Sequence, residues 1–241
     1  MQVLGIIPAR KGSKGVPGKN SQLIAGKPLI GYTIDKALQC GVLEDIVLST
    51  DDEAIWDYAA NFNLQIHKRD ASLATDTSPV VLTIIEVLHF AEQKFGKQYD
   101  AVMILQATAP LRENWHIQEA IQLLSNNTPA YECVISVVKT TEPHPARMYT
   151  VDGVGCMHSL QPENEDLNRQ QLPPVYLRNG SIYLTTRNAL LSQKKVMVSP
   201  SLAYVMDKKY HLNIDEPRDM LLAQLILGQN ANEIYEVGKY A

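Results

Sequence analysis

The sequence predicts an α/β protein built on a doubly wound, mostly parallel sheet into which one segment is inserted. Three observations carry this expectation. Short apolar runs alternate with helical periodicity over the first half of the chain, the pattern of βαβ units. One run, DAVMILQA, is apolar almost throughout, as expected of a strand buried on both faces of a parallel sheet. From about Thr140 to Pro174 the chain becomes rich in Pro, Glu, Asn and Gln and loses any helical period.

The elements follow in order. QVLGIIPA reads as a strand. PLIGYTIDKALQCG reads as a helix, with Leu29, Ile30, Ile34, Ala37 and Leu38 on one face and Gly41 as its terminating glycine. DIVLSTDD is a strand ending in acids, IWDYAANFN a short helix, and LQIHKR a third strand. Ser78-Pro79 has the chemistry to open the helix VVLTIIEVLHFAEQKFG, with Ser78 as cap and the proline in its first position. After DAVMILQA come the helix HIQEAIQLLSNN and the strand ECVISVVKT. Beyond the irregular segment, GSIYLTTRNALL, VMVSPSLAYVM and EPRDMLLAQLIL return to strand and helix patterns. No internal repeat or low-complexity tract interrupts them. The expected organisation is a core of residues 1–139 and 175–241 with an arm at 140–174.

Bulk properties narrow the function. The chain has 241 residues, 45% hydrophobic and 20% charged, so a folded core is expected and wholesale disorder is not. A net charge of −4 argues against a general nucleic-acid binder. Three scattered cysteines (Cys40, Cys133, Cys156) form no CxxC pair, which argues against a disulfide scaffold or zinc site and fits a reducing, cytoplasmic setting. No stretch approaches the roughly 18 apolar residues of a membrane helix, and no membrane partner is expected.

Against this acidic background, IIPARKGSKGVPGKN (6–20) gathers Arg10, Lys11, Lys14 and Lys19 around Gly12, Gly15 and Gly18. Glycine-rich turns at strand ends can aim backbone N–H groups at phosphate oxygens while cations neutralise the charge. The loop is not a P-loop: Gly12 and Gly18 enclose five residues instead of four, and Asn20 stands where Ser or Thr would be. Nor do its glycines have the G-x-G-x-x-G spacing of a dinucleotide fingerprint.

IIPARKGSKGVPGKN resembles the signature loop of the acylneuraminate (sialic acid-type) cytidylyltransferases, with its Pro-Ala-Arg, Gly-Ser-Lys-Gly and Lys-Asn. Four further blocks occur in the family's order: KRDASLATDTS, LQATAPLRE, NRQQLPPVYLRNGSIYL and LNIDEPRDM. Kdo cytidylyltransferases share the strand and Pro-Ala-Arg but usually continue differently. The resemblance implies a nucleotide-diphospho-sugar transferase-like, Rossmann-like fold. The activity implied joins CTP to the anomeric hydroxyl of a nine-carbon 2-keto acid sugar, with Mg²⁺ (or Mn²⁺), in a homodimer.

The resemblance also implies residue roles. Arg10, Ser13, Lys14 and Lys19 would neutralise the triphosphate, and Asn20 would bind the ribose. Arg69 would lie beside the nucleotide, although an exposed turn arginine is the alternative. Asp76 could simply cap its own loop. Gln106, at a strand end, would face the sugar or the reacting centre, while Pro110 and Arg112 would shape the turn and its salt bridges. Asp51 ends another strand, though DDE also suits a helix start. Arg147 and Arg169, on the arm, would take the carboxylate or the triphosphate, acting on the neighbouring subunit's site. Asn179, Tyr183 and Met197 would contact the sugar, with Tyr183 equally a core tyrosine. Asp215 and Asn213 would hold the metal, with Arg10, Lys19 and Asp215 central to catalysis.

Two departures from the family pattern matter. Asn213 stands where a second aspartate is usual, which keeps an oxygen but removes a charge; Asp215 could also cap the following helix, and both roles could hold together. Val196 and Met197 replace aromatic pocket residues, which points to legionaminic or pseudaminic acid rather than N-acetylneuraminic acid. The alternatives are a related nucleotidyltransferase using Kdo or another nucleotide, or a non-catalytic nucleotide-binding protein.

Overall fold

The computed structural model describes residues 1–12, 15–70, 73 and 78–228. Among these residues the central sheet has seven strands, with six helices around it. Its strands are β1 (Val3–Ala9), β4 (Asp45–Thr50), β5 (Gln65–Lys68), β6 (Ala101–Ile104), β7 (Cys133–Thr140), β10 (Val175–Thr186) and β11 (Leu202–Met206), and their order across the sheet is β11-β7-β10-β6-β1-β4-β5. Every pairing is parallel except the two made by β10, which runs antiparallel to β6 and β7. Two small hairpins, β2 (Leu23–Ile24) with β3 (Lys27–Pro28) and β8 (Tyr149–Val151) with β9 (Met157–Ser159), lie outside the sheet. The helices are α1 (Leu29–Gln39), α2 (Glu53–Ala59), α3 (Val80–Phe95), α4 (Asn114–Asn127), α5 (Arg187–Gln193) and α6 (Pro217–Leu227).

Alternation along the strands feeds two cores. Val3, Ile7 and Met103 pack with Ile30 and Ile34 of α1 and Ile117 and Leu124 of α4 on one face. Leu4, Ile6, Val47 and Val102 pack with Ile84, Val87 and Leu88 of α3 and Leu190 of α5 on the other. Helices on both faces of a mostly parallel sheet make the doubly wound architecture that the sequence predicts. Gly41, just past α1, has φ +65, as a helix-terminating glycine should. Helix α3 starts one residue later than expected: Pro79 is the cap residue, and no side chain caps the helix. Residues 140–174 connect the adjacent antiparallel strands β7 and β10. They hold the β8–β9 hairpin and two short 3₁₀ turns at Pro145–Arg147 and Pro162–Asn164.

Candidate active site

Parallel strands end on one edge of the sheet, where connecting loops leave room for a ligand. There a cleft of about 420 Å³ is lined by residues that include Pro8, Arg10, Lys19, Asn20, Arg69, Gln106, Thr108, Asn213 and Asp215. Its lining carries three cations and one carboxylate, a balance suited to a polyanion. A second hollow, of about 370 Å³, sets Lys27 and Lys36 against Asp35 and Glu113. Those charges pair with one another, so no cationic excess exists there.

Local contacts explain how the cleft is held. The Lys11 amide donates to Asp51 Oδ1 at 2.8 Å, tying the loop after β1 to the end of β4. Asp51 is therefore a loop anchor, and its neighbour Asp52 caps α2 by accepting from Ala54. Asn20 is 7% exposed, and its Nδ2 donates to the Arg10 carbonyl at 3.2 Å. Arg69 is 9% exposed and donates to the Ser49 carbonyl at 3.0 Å, so it is a fixed part of the wall and not a free turn residue. Burial lowers its pKa, opposed by Asp51 and reinforced by Arg10.

The segment 213–215 reaches the cleft because the Ile214 amide donates to the Thr108 carbonyl at 2.9 Å. Lys19 Nζ donates to the Ile214 carbonyl at 2.7 Å and pairs with Asp215 Oδ1 at 3.1 Å. Asn213 Nδ2 donates to Asp215 Oδ2, while its own Oδ1 is buried with no hydrogen-bond partner. Two glycines permit these approaches. A side chain at Gly15 would put its first carbon 2.0 Å from the Asp215 carbonyl oxygen. Gly180, with φ +73, would put one 3.0 Å from Gln106 Oε1 and 3.4 Å from Asn213 Oδ1.

Arg10, Lys19, Asn20, Arg69, Gln106, Asn213 and Asp215 thus come together as the sequence suggested. Ser13, Lys14 and Asp76 lie outside the described residues. Asn179 does not: it is 1% exposed, with Oδ1 accepting from Ser136 Oγ and the Ser181 amide and Nδ2 directed at Met206 Sδ. It stabilises the irregularity in β10 between Arg178 and Tyr183. Tyr183 packs against the α3-side core, which favours its reading as a core tyrosine. Met197 is 39% exposed and contacts Arg178, apart from the cleft lining. On the arm, Arg147 faces Glu142 at 3.7 Å. Arg169 borders a separate hollow of about 210 Å³ with Lys139 and His144. Asp215 does not cap α6: Glu216 does, in a reciprocal capping box with Asp219. Gly15 was read from the sequence as part of a phosphate-binding turn, but the approach of Asp215 to it, and the role of Gly180, come only from the fold.

Comparison with known proteins gives the family. The cytidylyltransferase family model matches residues 4–237. The chain belongs to the cytidylyltransferase family. Among its relatives, it is 35% identical to a CMP-N,N'-diacetyllegionaminic acid synthase of Legionella pneumophila, over 95% of this chain and 98% of that one. It is 32% identical to an N-acylneuraminate cytidylyltransferase of Streptococcus agalactiae, over 92% of this chain. The chain spans about half, 52%, of that longer relative. The fold resembles that of a CMP:2-keto-3-deoxy-manno-octonic acid synthetase solved with CTP, at a TM-score of 0.72 and 19% identity, over 97% of this chain and 100% of that one. No helix among the described residues is long and apolar enough to cross a membrane.

Proposed function

We propose that this chain transfers CMP from CTP to the anomeric hydroxyl of a nine-carbon 2-keto acid sugar of the sialic, legionaminic or pseudaminic type. The carrying observation is the cleft that gathers Arg10, Lys19 and Arg69 with Asn213 and Asp215. The sugar oxygen forms a bond to the α-phosphorus, and the bond to the bridging α–β oxygen breaks. Pyrophosphate leaves with that electron pair, and the hydroxyl proton passes to solvent. Arg10 and Lys19 bind the triphosphate, with Ser13 and Lys14 assigned to the same task. Asn20 and Arg69 hold the nucleoside side, and Gln106 faces the sugar. Holding both partners in line is the main contribution the walls make.

The residues present fit a divalent cation: the orphaned Asn213 Oδ1 and the Asp215 carboxylate offer two hard oxygen donors. Mg²⁺ or Mn²⁺ bound there would neutralise phosphate charge. Among the described residues no cluster of three or more His, Cys, Asp or Glu side chains exists, so triphosphate and water oxygens would complete the shell. Arg147 and Arg169 are assigned to the site of a neighbouring subunit, which requires a homodimer built through residues 140–174. The free cysteines Cys40, Cys133 and Cys156 suit a cytoplasmic enzyme.

The test is pyrophosphate release from CTP and Mg²⁺ with a panel of legionaminic, pseudaminic, N-acetylneuraminic and Kdo acceptors. Turnover with at least one nine-carbon acid supports the assignment. The 35% identity to a CMP-N,N'-diacetyllegionaminic acid synthase favours the deoxy, diacetamido acids. Tight CTP binding without turnover of any sugar would instead indicate a non-catalytic nucleotide-binding protein.

A further inference from the structure

Arg112 is 1% exposed, and no carboxylate among the described residues pairs with it. Burial pulls its pKa down to about 9, so it remains a cation at neutral pH. A buried guanidinium without a counter-charge is costly and persists where its hydrogen bonds hold something in place. Its fork joins three elements. Nη1 donates to the Ser181 carbonyl of β10 at 2.5 Å, and Nη2 donates to Thr33 Oγ1 of α1 at 2.7 Å. Both nitrogens also approach the Gln106 carbonyl, at 3.4 and 3.3 Å, which Thr33 Oγ1 approaches as well at 3.3 Å.

These contacts meet at one end of the cleft. Gln106 follows β6, and Ser181 follows Gly180, where a β-carbon would come 3.0 Å from Gln106 Oε1 and 3.4 Å from Asn213 Oδ1. We propose that Arg112 is a positioning residue for the sugar end of the cleft, fixing Gln106 against the Gly180 turn of β10 without touching substrate. This rests on the reading that Gln106 faces the sugar. Lysine at 112 keeps the charge but has one nitrogen, which cannot span Ser181, Thr33 and Gln106 together.

A double-mutant cycle tests the inference. R112K should lower kcat/KM for the sugar about tenfold while the CTP KM moves less than about twofold. In a Q106A background the same change should cost less than about threefold, because the group it positions is already gone. An undiminished cost in Q106A, or CTP and sugar KM values rising together, would overturn the inference. Hydrogen exchange gives a readout independent of turnover. R112K and R112M should speed exchange at residues 105–109 and 180–183 but leave α2 and β5 unchanged, whereas unchanged or uniformly faster exchange would overturn it. If the wild type turns over no nine-carbon acid, the functional reading fails, and the exchange result still decides the role of Arg112.

Discussion

At the residue scale the site is a balance of charge around Asp215. Lys19 holds one carboxylate oxygen at 3.1 Å, and the Asn213 amide holds the other. An aspartate at 213 would add a negative charge beside a divalent cation, while repelling Asp215 when no cation is bound. Asn213→Asp should therefore tighten Mn²⁺ about tenfold, measured by electron paramagnetic resonance of free Mn²⁺. Unchanged affinity would remove Asn213 from the metal shell. Gly15 is a second sensitive position, because a β-carbon there meets a backbone oxygen, which cannot swing aside as a flexible side chain could. Gly15→Ala should raise the CTP KM at least about tenfold and cost about 1–3 kcal/mol of stability, readable from denaturant unfolding beside steady-state kinetics. The glycine was visible in the sequence, but its reason was not, since Asp215 is brought to it only by the fold.

At the scale of elements, legibility followed periodicity. The α1, α3 and α4 stripes and the β1, β4 and β6 runs were readable because each buries a continuous apolar face on the sheet. The antiparallel direction of β10 was not readable, since strand direction comes from where the preceding segment returns the chain. Asn179, expected at the sugar from the family resemblance, turns inward to Ser136, while a β-carbon at its neighbour Gly180 would meet Gln106 and Asn213 of the cleft. Helix α4 carries a titratable group the sequence did not single out. His116 is fully buried, and its Nδ1 accepts from the Glu113 amide at 2.8 Å, so the neutral ring carries its proton on Nε2. Burial lowers its pKa to about 4, with Arg112 and Lys209 contributing. The unfolded chain, with an ordinary histidine pKa, binds the proton first. Stability is thus full above about pH 6.5 and falls as pH drops toward 4, by up to ~1.4 kcal/mol per pH unit for this group. His67 and His211, also lowered by burial, act in the same direction. Calorimetric Tm should fall over that range, and His116→Asn should flatten the profile; an equally steep profile in the variant would exclude His116 as a source.

At the scale of the molecule, the distribution of exposed apolar surface separates the two halves of the proposed reaction. Met148, Val151, Val154, Met157 and Leu160 are all at least 41% exposed along the 140–174 segment, the grouped exposure that the proposed homodimer would cover. Light scattering should give a dimer. Val151→Asp with Met157→Asp, which face each other across the β8–β9 hairpin, should yield monomers with sugar turnover reduced far more than CTP affinity, because Arg147 and Arg169 would no longer reach a neighbour's site. Full turnover by a monomer would return those two arginines to the surface of their own chain. Most residues proposed for the nucleotide half cluster in one loop, and of these the structure brings Arg10, Lys19 and Asn20 to the cleft. The residues proposed for the sugar half are spread over separate elements, which no single stretch of sequence displays. The most direct test of the central claim is ³¹P NMR of the wild-type protein with CTP, Mg²⁺ and N,N'-diacetyllegionaminic acid. Loss of the three CTP resonances with equal growth of one CMP-sugar phosphodiester and one pyrophosphate signal is the predicted result; CTP that persists, or decays to CDP and inorganic phosphate, would contradict it.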